Sequence, residues 1–277
     1  AADGAAGRAR AVKAPLPLES SRRRRSHGRG RSRRPLGSNP RSRASYHRAT
    51  ARRSASDPHQ ARAREPTAMD VLFAFTGDKF AVVVSDTTSV QQIIVQKDDM
   101  EKIMDLDSHK LLALSGPKGD CVYFGEYVQA NMKLYELRNG VKLSTHACAN
   151  FVRNQLAEAL RKGPYQVNTL LAGYDKDTDS ASLYFMDPYA SMMKVNSGGH
   201  GYGGMFCLSL FDKHWVPGMT REAAAILVDK CIAEVRERLV TAPTKYHVKI
   251  VDENGTSCEV YDCVEKAAVK AVADSRK

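Results

Sequence analysis

From residue 70 the chain alternates short apolar runs with polar breaks at strand spacing. Val71, Phe73 and Phe75 interleave with Leu72 and Ala74, Thr76-Gly77-Asp78 supplies a turn, and the Val-rich run 80–84 closes on Ser85-Asp86. Both phases of this pattern are apolar, which predicts a hairpin buried on both faces. A second strand pair is predicted from 92–96 and 100–104 around polar Lys97-Asp98-Asp99, then a strand over 109–114 running into a Ser115-Gly116 turn. Further on, Asp120 is a candidate cap for a helix through Arg138 that stops at Asn139-Gly140, and Ser144 for a second through Lys162 that stops at Gly163-Pro164. Strands over 166–173, 180–186 and 192–195 follow. Thr220 caps a long helix with Ala224, Leu227, Cys231, Val235 and Leu239 facing inward, and 246–251 and 257–261 form a final hairpin about Asn254-Gly255. Strands grouped at both ends around helical pairs predict an α+β class, two antiparallel sheets with helices on their outer faces.

Composition divides the chain near residue 69. Residues 1–68 carry seventeen Arg and one Lys against four acids, a balance of +14, whereas the whole chain is +11 and the remainder therefore −3. The basic isoelectric point belongs to this leader, so a nucleic-acid-binding globular domain is not implied by it. Arg- and Ser-rich and poor in apolar side chains, residues 1–68 are expected to be disordered. An RNA or nucleolar tether, an organelle presequence and a propeptide compete for them with the plainer expectation that Met69 is the true initiator and the leader an upstream extension. Residues 69–264 suffice for one sizeable core, and 265–277 read as a short helix or flexible tail. The six cysteines are dispersed without CxxC spacing, which favours reduced thiols over disulfides or zinc ligands.

Ser85-Asp86, Lys102 sixteen residues after Asp86, LLALSG at 111–116 and Asp120-Cys121 resemble proteasome β-type subunits, and within them the beta type-2 branch at the fourth position of the β ring. QANMKLYELRNG (129–140), NTLLAGYD (168–175), YFMDPYAS (184–191), GGHGYGG (198–204) and VKIVDENG (248–255) carry the resemblance over about 69–264. It implies the four-layer αββα sandwich of N-terminal nucleophile hydrolases, no cofactor, and partners that are other β subunits, in the same ring and the opposite one, and α-ring subunits. It also implies a place in cytoplasm and nucleus, away from membranes.

Active members of that family attack with an N-terminal threonine whose own amine takes the proton, since an alcohol needs an adjacent base to become a nucleophile. Aligned on Asp86 and Lys102, the threonine position holds Asp70, and the turn that should carry an assisting serine reads Gly199-His200-Gly201. Gly255-Thr256 is the one Gly-Thr pair, inside the last hairpin. The resemblance therefore implies a non-catalytic subunit with a vestigial site at Asp70, Asp86, Lys102 and His200. An active threonine-type endopeptidase and a nucleic-acid binder acting through the leader are the alternatives. Asp86 and Lys102 are expected to pair, with Asp70 joining them, because unpaired buried charges are costly. Thr87-Thr88 read as turn residues, the glycines of 198–204 as a tight turn and close helix packing rather than a phosphate loop, and His200, His214 and His247 as lacking zinc-ligand spacing. Trp215 is assigned to packing or to a subunit contact.

Overall fold

The computed structural model describes residues 69–91 and 94–266. The expectations for the leader, and for the tail beyond Lys266, lie outside the described residues.

Two five-stranded antiparallel sheets form the centre. The first runs β10-β1-β2-β11-β12, from β1 (Leu72–Thr76), β2 (Ala81–Asp86), β10 (Ser197–His200), β11 (Lys245–Asp252) and β12 (Gly255–Asp262). The second runs β5-β6-β7-β8-β9, from β5 (Ile103–Asp107), β6 (Lys110–Ser115), β7 (Asn168–Asp175), β8 (Ser180–Met186) and β9 (Met192–Val195).

Strand alternation sorts the apolar residues into three layers. Leu72, Ala74, Ala81 and Val83 point between the sheets and meet Ile103, Leu111, Ala113, Leu170 and Ala172. Their neighbours Phe73, Phe75, Val82 and Val84 point outward, onto α3 (Gly201–His214) and α4 (Arg221–Arg238), where Phe211 packs against Phe73 and Phe75 at ring distances of 6.0 and 5.6 Å. On the other side Leu112, Leu114 and Leu171 meet Phe124 and Val128 of α1 (Lys118–Asn139) and Cys148, Val152 and Leu156 of α2 (Thr145–Ala159). Because the side-chain period of a strand is two, one apolar run feeds two layers at once. The order is helix, sheet, sheet, helix.

Three sequence expectations are corrected. Residues 92 and 93 lie outside the described residues, and 94–96 do not pair with 100–104: β3 (Ser89–Gln91) and β4 (Ile94–Lys97) form a separate two-stranded ribbon, and β5 pairs with β6. Both register choices satisfy a local apolar pattern, and only the partner in space decides between them. Asp120 does not cap α1, which starts at Lys118 after Pro117; its carboxylate instead accepts the Gln166 N–H at 3.1 Å. The second helix stops at Ala159, short of Lys162. The glycines of 198–204 do make the expected close helix packing, at the start of α3, a helix that no predicted element covers. They are small for packing: a Cβ on Gly199 would lie 2.8 Å from the Gly204 Cα, and Gly203 abuts the Val71 side chain. Ser144 and Thr220 do cap α2 and α4, accepting from Ala147 N at 3.2 Å and Ala223 N at 3.4 Å.

Candidate functional site

The first sheet ends where β1 begins, and that end faces β6 and the first turn of α1. Asp70 precedes β1, Asp86 closes β2, Lys102 precedes β5, and Ser115-Gly116 leads into α1. Antiparallel pairing of Leu72 with Ser85 sets the two aspartates side by side.

Their carboxylates share one ammonium. Lys102 Nζ lies 2.7 Å from Asp86 Oδ1 and 2.9 Å from Asp70 Oδ1, and all three side chains are no more than 6% exposed. Lys118 Nζ reaches the same Asp70 oxygen at 3.0 Å. The second Asp70 oxygen accepts the Ser115 hydroxyl at 3.0 Å and the Gly116 N–H at 3.3 Å. Asp86 accepts the Val71 N–H at 3.0 Å, and its other oxygen takes both the Thr88 N–H at 3.2 Å and the Thr88 hydroxyl at 2.6 Å. Among the described residues two negative and two positive charges thus balance, with the carboxylate lone pairs occupied by donors. That saturation is what makes burial of Asp70, Asp86 and Lys102 tolerable.

The electrostatics follow from these contacts. Burial alone would push the Asp70 carboxyl up, but Lys102 and Lys118 together outweigh it and hold the group below its ordinary value. Burial likewise opposes the charged form of Lys102, and Asp86 and Asp70 reverse that, raising it. Both groups are therefore ionised at neutral pH. A lysine pinned between two carboxylates is a poor proton acceptor, and Asp70 has no hydroxyl to activate.

His200 lies apart from this cluster. It ends β10 opposite Leu72, stacks on Phe185 at 4.2 Å, and shares a hydrogen bond of 3.3 Å between Nε2 and the Thr169 carbonyl. Burial depresses its pKa to about 4, so the ring is neutral and Nε2–H is the donor. With Ser115, Asn168, Met193, Tyr202 and Met205 it lines an open cleft of about 550 Å³ beside the cluster. The tight link between the two regions is backbone: at Gly201, φ +73°, a Cβ would sit 2.0 Å from the Asp70 carbonyl oxygen.

Ser115, Gly116 and Lys118 were not read as site residues. The available signal was the Ser-Gly-Pro-Lys turn leading from a strand into a helix, which aims the helix start at the end of the neighbouring strand. Other candidates resolve into structure. Thr87 donates to the Lys245 carbonyl, and Trp215 packs on the first outer core while its Nε1–H bonds the Thr76 carbonyl at 2.7 Å. His247 is half-buried, with an Nδ1 that makes no hydrogen bond and stands 3.7 Å from Glu101. Burial pushes the Cys121 and Cys148 thiols up to about 12, which disarms them as nucleophiles. Among the described residues no His/Cys/Asp/Glu group is arranged to hold a metal ion, and no helix is long and apolar enough to cross a membrane.

Comparison with known proteins agrees with the layer order. A family model described as proteasome subunit matches residues 70–251. Proteasome subunit beta type-2-B of Arabidopsis thaliana is 53% identical over 187 residues, covering 68% of this chain and 94% of the relative. Proteasome subunit beta type-2 of Oryza sativa subsp. japonica is 54% identical over 187 residues, 68% of this chain and 88% of the relative. Proteasome subunit beta type-4 of Saccharomyces cerevisiae is 37% identical over 188 residues, 68% and 95% respectively.

Proposed function

This chain belongs to the proteasome subunit family, in its beta type-2 branch, and we propose that it serves there as a non-catalytic member of the β ring. Its four layers are the N-terminal nucleophile hydrolase fold, and β subunits of this family assemble with other proteasome subunits in the 20S core particle. The observation that carries the non-catalytic reading is the Asp70 carboxylate, held by Lys102, Lys118, Ser115 and Gly116 where an attacking hydroxyl would have to stand. The role left to the subunit is to complete the ring and enclose the proteolytic chamber.

Its partners on this reading are β neighbours on two different lateral faces, the opposite β ring and the α ring. Two helices support such extensive contact. On α1, Tyr123, Tyr127, Leu134 and Leu137 form an exposed stripe at helical spacing, although the opposite face of the same helix already fills the core. On α3, Tyr202, Met205 and Leu208 are likewise exposed. Helices apolar on two faces belong between partners. Cytoplasm and nucleus remain the proposed compartments, to be checked by imaging a tagged chain.

The deciding experiment treats intact core particles with an epoxyketone-type probe for N-terminal threonine and maps the adducts by mass spectrometry. Labelled peptides are expected from other subunits and none from this one. An adduct at Asp70, or a mature chain whose intact mass starts at a threonine, would overturn the reading.

A further inference from the structure

We infer that the pocket between β1, β6 and the start of α1 is a receptor for a small monocarboxylate, filled in the native chain by Asp70 acting as its own built-in ligand. The donors belong to four separate pieces of backbone: Lys102 before β5, Ser115 at the end of β6, Gly116 in the turn and Lys118 in α1. They approach one carboxylate from both oxygens, two ammonium groups on Oδ1 and a hydroxyl and an N–H on Oδ2. Lys102 and Ser115 are buried and therefore cannot turn to water for other partners.

Charge states the ligand class. With the Asp70 carboxylate removed, Lys102 and Lys118 share, among the described residues, only Asp86 as a carboxylate partner and the pocket carries a net +1, so a monoanion restores the balance, whereas a dianion overshoots. Shape states the size. Asp70→Ala vacates the volume of a carboxylate and should accept formate. Asp70→Gly vacates a methylene as well and should accept acetate. Propionate exceeds both. Donors placed for a planar two-oxygen group also discriminate against spherical chloride.

This inference stands apart from the non-catalytic reading, because the probe experiment above concerns a threonine and this one concerns anion binding to a variant chain. The full-length chain is prepared as wild type, Asp70→Ala, Asp70→Gly and Asp70→Gly/Lys118→Met. Thermal unfolding is followed against formate, acetate, propionate and chloride at matched ionic strength and pH 7. At tenfold over the dissociation constant, a rise of about 3–6 °C, continuing logarithmically with anion concentration, is expected for Ala with formate and for Gly with acetate. No rise is expected for wild type, and Lys118→Met should weaken acetate binding at least about tenfold. Should the single variants fail to fold in chloride, the same anions are supplied during refolding, and recovery of soluble native chain becomes the readout. Equal responses to chloride and carboxylate, an equal response of wild type, or no recovery of either variant by formate or acetate would overturn the proposal.

Discussion

Lys118 and Asp70 meet at 3.0 Å across forty-eight residues of sequence, and among the described residues this contact turns a three-charge cluster with a surplus of negative charge into a neutral one. Lys118 is 27% exposed, whereas Lys102 is 2% exposed. The two lysines therefore do different work for the same carboxylate: one is sealed with it and the other covers it from the solvent side.

Removing the sealed lysine should cost far more than removing the covering one. Lys102→Met leaves Asp70 and Asp86 buried against Lys118 alone and is expected to destabilise the chain by about 3–5 kcal/mol. Lys118→Met should cost about 1–2 kcal/mol, because water partly replaces it. Urea denaturation of the three chains reads the difference; equal losses would show that the cluster is open to solvent.

The Asp86–Lys102 pair should couple strongly. Asp86→Leu with Lys102→Met leaves Asp70 and Lys118 as a neutral pair, so the double variant should be more stable than Lys102→Met alone. A double-mutant cycle in thermal stability and in incorporation into core particles tests this. Additive losses would mean that the two side chains do not share their burial.

Acid should destabilise the fold in two steps. A folded His200 near pKa 4 refuses a proton that the unfolded chain accepts near 6.5, so stability falls as pH drops from about 6.5 toward 4. Asp70 is lowered below its ordinary 3.8, so its contribution is present above about pH 4 and is lost only as pH falls further, through its folded value. Urea midpoints across pH 3–8 should show the upper step vanish in His200→Gln and the lower step shrink in Asp70→Asn. A wild-type profile flat between pH 6.5 and 4 would contradict the buried neutral imidazole.

Leu137 is 72% exposed on the outer stripe of α1. Leu137→Glu should change the stability of the isolated chain by no more than about 0.5 kcal/mol and reduce its incorporation into core particles. Unchanged incorporation, measured by affinity purification and quantitative mass spectrometry, would remove the stripe from the assembly surface.

Much of this architecture is legible from periodicity. The alternation at 71–75 and 81–84 announces two buried faces, and Ser144 and Thr220 announce helix starts through the chemistry of their hydroxyls. Pairing is less legible, because β4 and β5 both offer acceptable edges and their partners are chosen by the sandwich as a whole. The glycines of 198–204 are legible as close helix packing, but the helix they open, α3, is not, because no side chain caps its start. In the charge cluster, Asp86 and Lys102 are discernible through family spacing. Lys118 is not, since a lysine in the first turn of a helix runs against the helix dipole and looks like surface. Only the Asp70 carboxylate beyond the turn explains its place.

The four charges behind β1 also bear on how such a subunit changes through descent. A lone replacement at Asp70, Asp86 or Lys102 passes through a state with an unbalanced charge sealed from water. Inherited variation here is accordingly expected to arrive in matched sets, since a neutral hydroxyl at position 70 would leave Lys118 without its carboxylate partner there.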